Sequence, residues 1–163
     1  MSRAAYMRVI GQQQKDIEGD IQDERFAPAS IKVLKLTHCL ERPWEGQGSL
    51  LKSSISHQPL ELIKPVDRAS PLLHQALCNK ESLEVTLTWF HPDPEGKSQP
   101  YYRLLLEKAQ IQAITTEMPD CRLPEKDHWH LYESVRLIYQ KITWQQGAGP
   151  EQEFTALARS GGQ

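Results

Sequence analysis

From Ser56 to Asn79 the sequence SHQPLELIKPVDRASPLLHQALCN leaves the backbone few choices. Leu60 and Leu62 alternate around Glu61 with the period of a half-buried strand, and Pro65 ends that run because its ring nitrogen cannot donate to a ladder. Ser70 and Pro71 then predict a helix start, with the serine as N-cap and the proline at the first helical position, where its missing N–H costs nothing. Leu72, Leu73, Ala76 and Leu77 share one face, and Asn79 is expected to close the helix in the left-handed conformation. So short a helix is unstable alone, and its apolar face requires a sheet or barrel mouth to pack on. Lys64 and Asp67 flank Pro65 and are expected to form a local ion pair that orients the helix start, worth about 0–1 kcal/mol if exposed.

Strands dominate the remainder. Leu83, Val85, Leu87 and Trp89 alternate with Glu84, Thr86 and Thr88, the cleanest period-two pattern in the chain. The run His91-Pro92-Asp93-Pro94-Glu95-Gly96 predicts a turn, and Tyr101 to Ile114 the returning strand of an antiparallel hairpin. Tyr6 to Ile10 and about Ser30 to Leu40 predict two earlier strands, and Met118 to Asp127 a loop. A last strand is expected from about Trp129 to Trp144; its apolar residues fall on both parities, which a bulge or burial on two sides would explain.

Between Glu41 and Ser54 the periodicity lapses. Pro43, Trp44, Gly46, Gly48 and several serines compose a long excursion loop, and such loops in compact domains usually face a partner or carry function. One short helix and no βαβ alternation predict a mainly β fold, a small antiparallel β-barrel of two packed sheets with one short α-helix on its side. Its expected extent is residues 1–145, followed by a flexible, glycine-bearing tail over 146–163.

The chain's 163 residues fit one domain, and a formal net charge of −2 gives no nucleic-acid footprint and no pull toward an anionic membrane. Partners are therefore expected to be proteins or small molecules. The longest aliphatic run, Leu104 to Leu106, is far short of the roughly 20 residues of a membrane helix. Arg8 and Gly11 interrupt the start, so no secretory signal is expected there. Cys39, Cys78 and Cys121 are odd in number and widely spaced, which suits reduced thiols better than a disulfide framework.

No catalytic, cofactor or metal site is predicted. His128 and His130 share a face if extended, with Cys121 nearby, but two or three such residues make a weak metal pattern. Glu81, Glu84, Asp93 and Glu95 are expected to be solvated carboxylates, and His74 a residue at the polar edge of the helix. No nucleophile elbow or phosphate loop occurs.

The order of motifs resembles the Hcp family, the haemolysin-coregulated proteins of the type VI secretion system inner tube. The resemblance rests on Tyr6 to Gly11, on HQPLELIKPVDRASPLLHQAL from His57 to Leu77, on YYRLLLEKAQIQAI from Tyr101, and on YESVRLIYQKITWQ from Tyr132. Most specific are K-P-x-D-x-x-S-P-L-L at Lys64 to Leu73 and Y-x-K-I-x-W at Tyr139 to Trp144. The resemblance implies hexameric rings that stack into a tube, export when a contractile sheath fires, and small effectors carried in the lumen. Implied partners are further copies of the chain, the spike protein VgrG, the sheath and the effectors. It further implies a cytoplasmic protein before assembly, exported without a general secretory signal. The expected contact between rings is the excursion loop, with Trp44 as apolar anchor beside Gly46 and Gly48. For Trp44 a second reading stays open, in which it covers a small core under the loop. From a different functional class, a β-barrel carrier of a small apolar ligand is the alternative, suggested by strands apolar on both faces.

Overall fold

The computed structural model describes residues 3–44, 46, 54–147 and 152–158. Strand β1 (Ala5–Gly11) turns Ala5, Met7 and Val9 inward and forms a hairpin with β2 (Lys15–Ile17). The strand expected from Ser30 to Leu40 is instead divided at Leu34 into β3 (Ile31–Val33) and β4 (Lys35–Thr37). The division has a purpose: β3 pairs with β1, whereas β4 pairs with β7 (Leu60–Pro65) on the far side of the fold. Between β4 and β7, β5 (Leu40–Glu41) and β6 (Ser56–His57) form a two-residue ladder that gathers the root of the excursion loop.

Helix α1 (Ser70–Cys78) follows, then β8 (Leu83–Pro92) and the 20-residue β9 (Ser98–Glu117), joined by a tight turn at Asp93–Lys97 where Gly96 takes a positive φ of 85°. The last strands are β10 (Tyr132–Ile138), β11 (Lys141–Gln146) and β12 (Gln152–Leu157). Among the described residues the strand ladders are antiparallel, in the order β2-β1-β8-β9-β10-β7-β4, with β11 on β9 and β12 on β11.

β9 accounts for the mixed parity at the end of the sequence. Along one edge it pairs with β11 from Tyr102 to Glu107 and with β10 from Gln110 to Glu117. Near the junction Lys108 takes a positive φ of 51°, and the register shifts between Arg136 and Leu137 and again between Leu83 and Val85. Bulges bend strands. Apolar residues from both ends of this bent sheet meet in one core, Val9, Leu87, Leu106 and Ile142 with Leu62, Val135 and Leu137. The segment Ile31–Thr37 joins the two ends of the circuit through the chain rather than through a ladder. Leu73 and Ala76 of α1 are buried in the same core, where a fully covered leucine side chain contributes about 1.5–3 kcal/mol.

The loosely held tail expected after Trp144 does not describe Gln152–Leu157. These residues pair along all of β11, because Thr143 and Thr155 share a hydroxyl hydrogen bond of 2.9 Å and Trp144 stacks on Phe154. No described helix is long and apolar enough to cross a membrane.

Candidate functional site

Lys64 occupies an inward position of β7, on the face of Leu60 and Leu62, and its side chain is wholly buried. A buried ammonium requires acceptors, and it has four. Its Nζ lies 2.6 Å from Glu133 Oε1, 2.9 Å from Asp67 Oδ1, 2.9 Å from the Pro65 carbonyl and 3.1 Å from Ser70 Oγ. Glu133 stands directly opposite Lys64 on β10 and is also fully buried. The local Lys64–Asp67 ion pair expected from sequence is therefore present, but it is buried rather than exposed and Lys64 shares it with Glu133 across the ladder. Breaking it strands a desolvated charge, which costs far more than losing a surface pair.

Ser70 is not the N-cap. The capping position is Ala69, without a side-chain bond, and the hydroxyl of Ser70 turns inward. There it donates to Glu133 Oε1 at 2.7 Å and accepts the Asp67 N–H at 3.0 Å. Asp67 takes over part of the cap by accepting the Ala69 N–H at 3.1 Å, and Pro71 lies in the first turn. At the far end Asn79 has a φ of −94°, so it is Lys80, at 49°, that adopts the left-handed conformation.

Glu81 corrects a second expectation: it is 3% exposed rather than solvated. Its Oε1 accepts the backbone N–H groups of Gln13 and Gln14, each at 2.6 Å, and its Oε2 accepts Gln14 Nε2 at 2.7 Å. The same Gln14 amide donates to the Leu72 carbonyl at 3.0 Å, so one carboxylate ties the β1–β2 turn to α1. Burial raises its pKa, but the hydrogen bonds from Gln14 and Gln13 outweigh that and hold it below the usual carboxylate range. A Cβ at Gly11 would sit 2.7 Å from Glu81 Oε1, so any larger residue there must displace this carboxylate.

The outer surface carries the contact candidates. Trp44 is 63% exposed. Gly46 lies beside it with a positive φ of 79°, and Gly48 lies outside the described residues. β7 starts near the loop and ends beside Leu131, whose carbonyl accepts the Val66 N–H. Met118, Trp129 and Leu131 are exposed around that end. On β12, which pairs only with β11 among the described residues, Phe154 and Leu157 are 64% and 70% exposed. His128, His130 and Cys121 are exposed on the loop between β9 and β10, and His74 Nδ1 is 2.8 Å from the Ser70 carbonyl.

These features define a small, mainly antiparallel β protein with a helix locked to its side by a buried ionic cluster. The family described as "Type VI secretion system effector, Hcp" matches residues 6–146. The Major exported protein of Pseudomonas aeruginosa is 30% identical over 154 residues, covering 88% of this chain and 89% of that one. Among solved structures, Hcp1 of the E. coli EAEC 042 pathovar superposes with a TM-score of 0.83 at 24% identity, covering 96% of this chain and 99% of that one. The secreted protein Hcp3 of Pseudomonas aeruginosa gives 0.73 at 26% identity, over 98% and 100%. The chain belongs to the Hcp family of the type VI secretion system.

Proposed function

We propose that this chain is the ring subunit of a type VI inner tube, cytoplasmic until assembly and exported when the sheath contracts. Six copies close head to tail, the rings stack, and small effectors travel in the lumen toward the spike. The observation that carries this reading is the outer edge of β12, which pairs with no other strand among the described residues, with Phe154 and Leu157 exposed. An exposed strand edge offers donors and acceptors to a neighbouring copy, and a heterologous contact of that kind generates a ring when its rotation closes. The carrier alternative needs an empty interior, whereas Met7, Ile31, Leu60, Leu87 and Leu137 fill this one.

Native mass spectrometry tests the ring. The parent protein should run as a hexamer, and the double substitution Phe154→Asp with Leu157→Asp should release monomers that keep their circular dichroism. Hexamers that survive both substitutions would remove β12 from the interface.

Stacking depends on the other candidate. Trp44 stands in the excursion loop that leaves β5, while Met118, Trp129 and Leu131 are exposed around the far end of β7, and in a stacked pair these unlike surfaces would meet. Trp44→Ala should leave rings whole and weaken stacking at least about ten-fold, as loss of a central aromatic anchor does. Sedimentation of concentrated rings reads this directly; equal stacking by both proteins would return Trp44 to a covering role.

A further inference from the structure

Two histidines reach one phenol at the root of the excursion loop. His38 Nε2 lies 2.8 Å and His57 Nδ1 2.9 Å from the Tyr139 hydroxyl. His38 follows β4 and His57 closes β6, so the pair brackets the loop on both sides, while Tyr139 sits between β10 and β11 on the barrel wall. The Leu40–His57 and Glu41–Ser56 pairs, the Gln58 N–H to the Cys39 carbonyl and the Gln58 amide to Ser56 Oγ also hold this root.

We propose that His38, Tyr139 and His57 form an acid-sensitive latch that fixes the root of the 41–54 loop at neutral pH and frees it on acidification. The idea rests on the reading of that loop as the contact between rings, and adds to it a means of regulation: stacking that loosens in acid.

The hydrogen-bond inventory sets the mechanism. A phenol has one proton to donate and two lone pairs, so it satisfies two neutral imidazoles by donating to one and accepting from the other. A first proton is compatible with that arrangement. A second leaves two cations aimed at one oxygen whose own proton has no acceptor between them. Burial, with repulsion from the other ring in the case of His38, keeps both histidines below the ordinary value of 6.5, and burial pushes Tyr139 up to about 12, so the phenol stays protonated throughout.

Among the described residues, no carboxylate lines the grooves beside these two rings. Beside His57 the groove wall contributes Lys108 from β9, a further cation, with Gln110 and Gln140. Beside His38 it contributes the Tyr101 and Tyr102 phenols with Trp89 and Trp144. Glu41 on β5 and Cys39 just before it are exposed. These grooves, ≈ 380 Å³ at His38 and ≈ 600 Å³ at His57, give each protonated ring water to turn into.

The sign follows from the depressed values. The unfastened root binds protons more readily than the latched one, so the latch is whole above pH 6.5 and weakens as pH falls below it. Amide exchange at His57 and Gln58, corrected for intrinsic rates and measured on assembled rings from pH 7.5 to 5, reads the opening. It should rise by up to about ten-fold per pH unit for each proton taken up, with β8 amides unchanged. The double variant His38→Gln with His57→Asn keeps polar partners for the phenol and should give a flat profile; Tyr139→Phe should open the root at every pH. Exchange independent of pH in the parent protein, or the same pH profile in the double variant, overturns the latch. Sedimentation on the same samples separates the two ideas. If the root opens in acid while stacks persist, the latch stands and the loop is not the contact between rings.

Discussion

Lys64→Met should destabilise the fold by about 3–5 kcal/mol, the cost of leaving a buried carboxylate without its cation. Among the described residues Glu133 Oε2 has no hydrogen-bond partner, so without Lys64 the carboxylate keeps only the Ser70 hydroxyl at 2.7 Å. Against a typical domain stability of about 5–15 kcal/mol, the variant stands near unfolding. Urea denaturation should show a lower midpoint at unchanged slope. Adding Glu133→Leu should return a large part of the loss, because apolar replacement of both members of a buried pair is commonly close to neutral. A single variant within about 1 kcal/mol of the parent would mean that water reaches this cluster and that it behaves as a surface pair does.

Glu81→Ala should cost about 2–4 kcal/mol, since it abandons two backbone N–H groups and the Gln14 amide together. Glu81→Gln should lose less, because its carbonyl oxygen still accepts from Gln13 and Gln14. Its remaining loss comes from the amide now facing Gln14 Nε2. The pH dependence distinguishes these variants. A carboxylate held below 4.5 in the folded state contributes stability that is complete above that value and is lost as pH falls through its folded pKa. The parent protein should therefore lose stability below pH 4.5 more steeply than either variant, read from thermal midpoints between pH 6 and 3. Parallel curves would show that Glu81 is not the group responsible.

How far the fold was legible depended on where burial was one-sided. Leu83 to Trp89 and Leu60 to Leu62 follow a strict period of two because one face meets the core, and the structure has strands at both. Parity failed at the end of the chain because β9 supports two partners across a bend, and the bend is set by contacts distant in sequence. Leu34 marks a strand that changes neighbours, which no local pattern announces. At the helix start the types were visible but the solvent exposure was not. Lys64 shares parity with Leu60 and Leu62, and Glu133 with Val135 and Leu137; opposite charges at inward positions of two strands were the available signal. Ser70 looked like a cap because serine often is one, and only the partner on β10 shows where its hydroxyl turns. His38, His57 and Tyr139 are separated by up to 101 residues, too far for any spacing rule to join them.

β9 has a mechanical meaning beyond its place in the core. Ladder bonds in an antiparallel pair stand perpendicular to the strands. A push along the axis of β9 relative to its neighbours therefore strains the bonds to β8, β10 and β11 in parallel, and they resist together. A pull that lifts β12 away from β11 opens its bonds in sequence, like a zip. Shear along the longest strand is thus resisted by many bonds at once, whereas a load that pulls across the sheet parts β12 from β11 first.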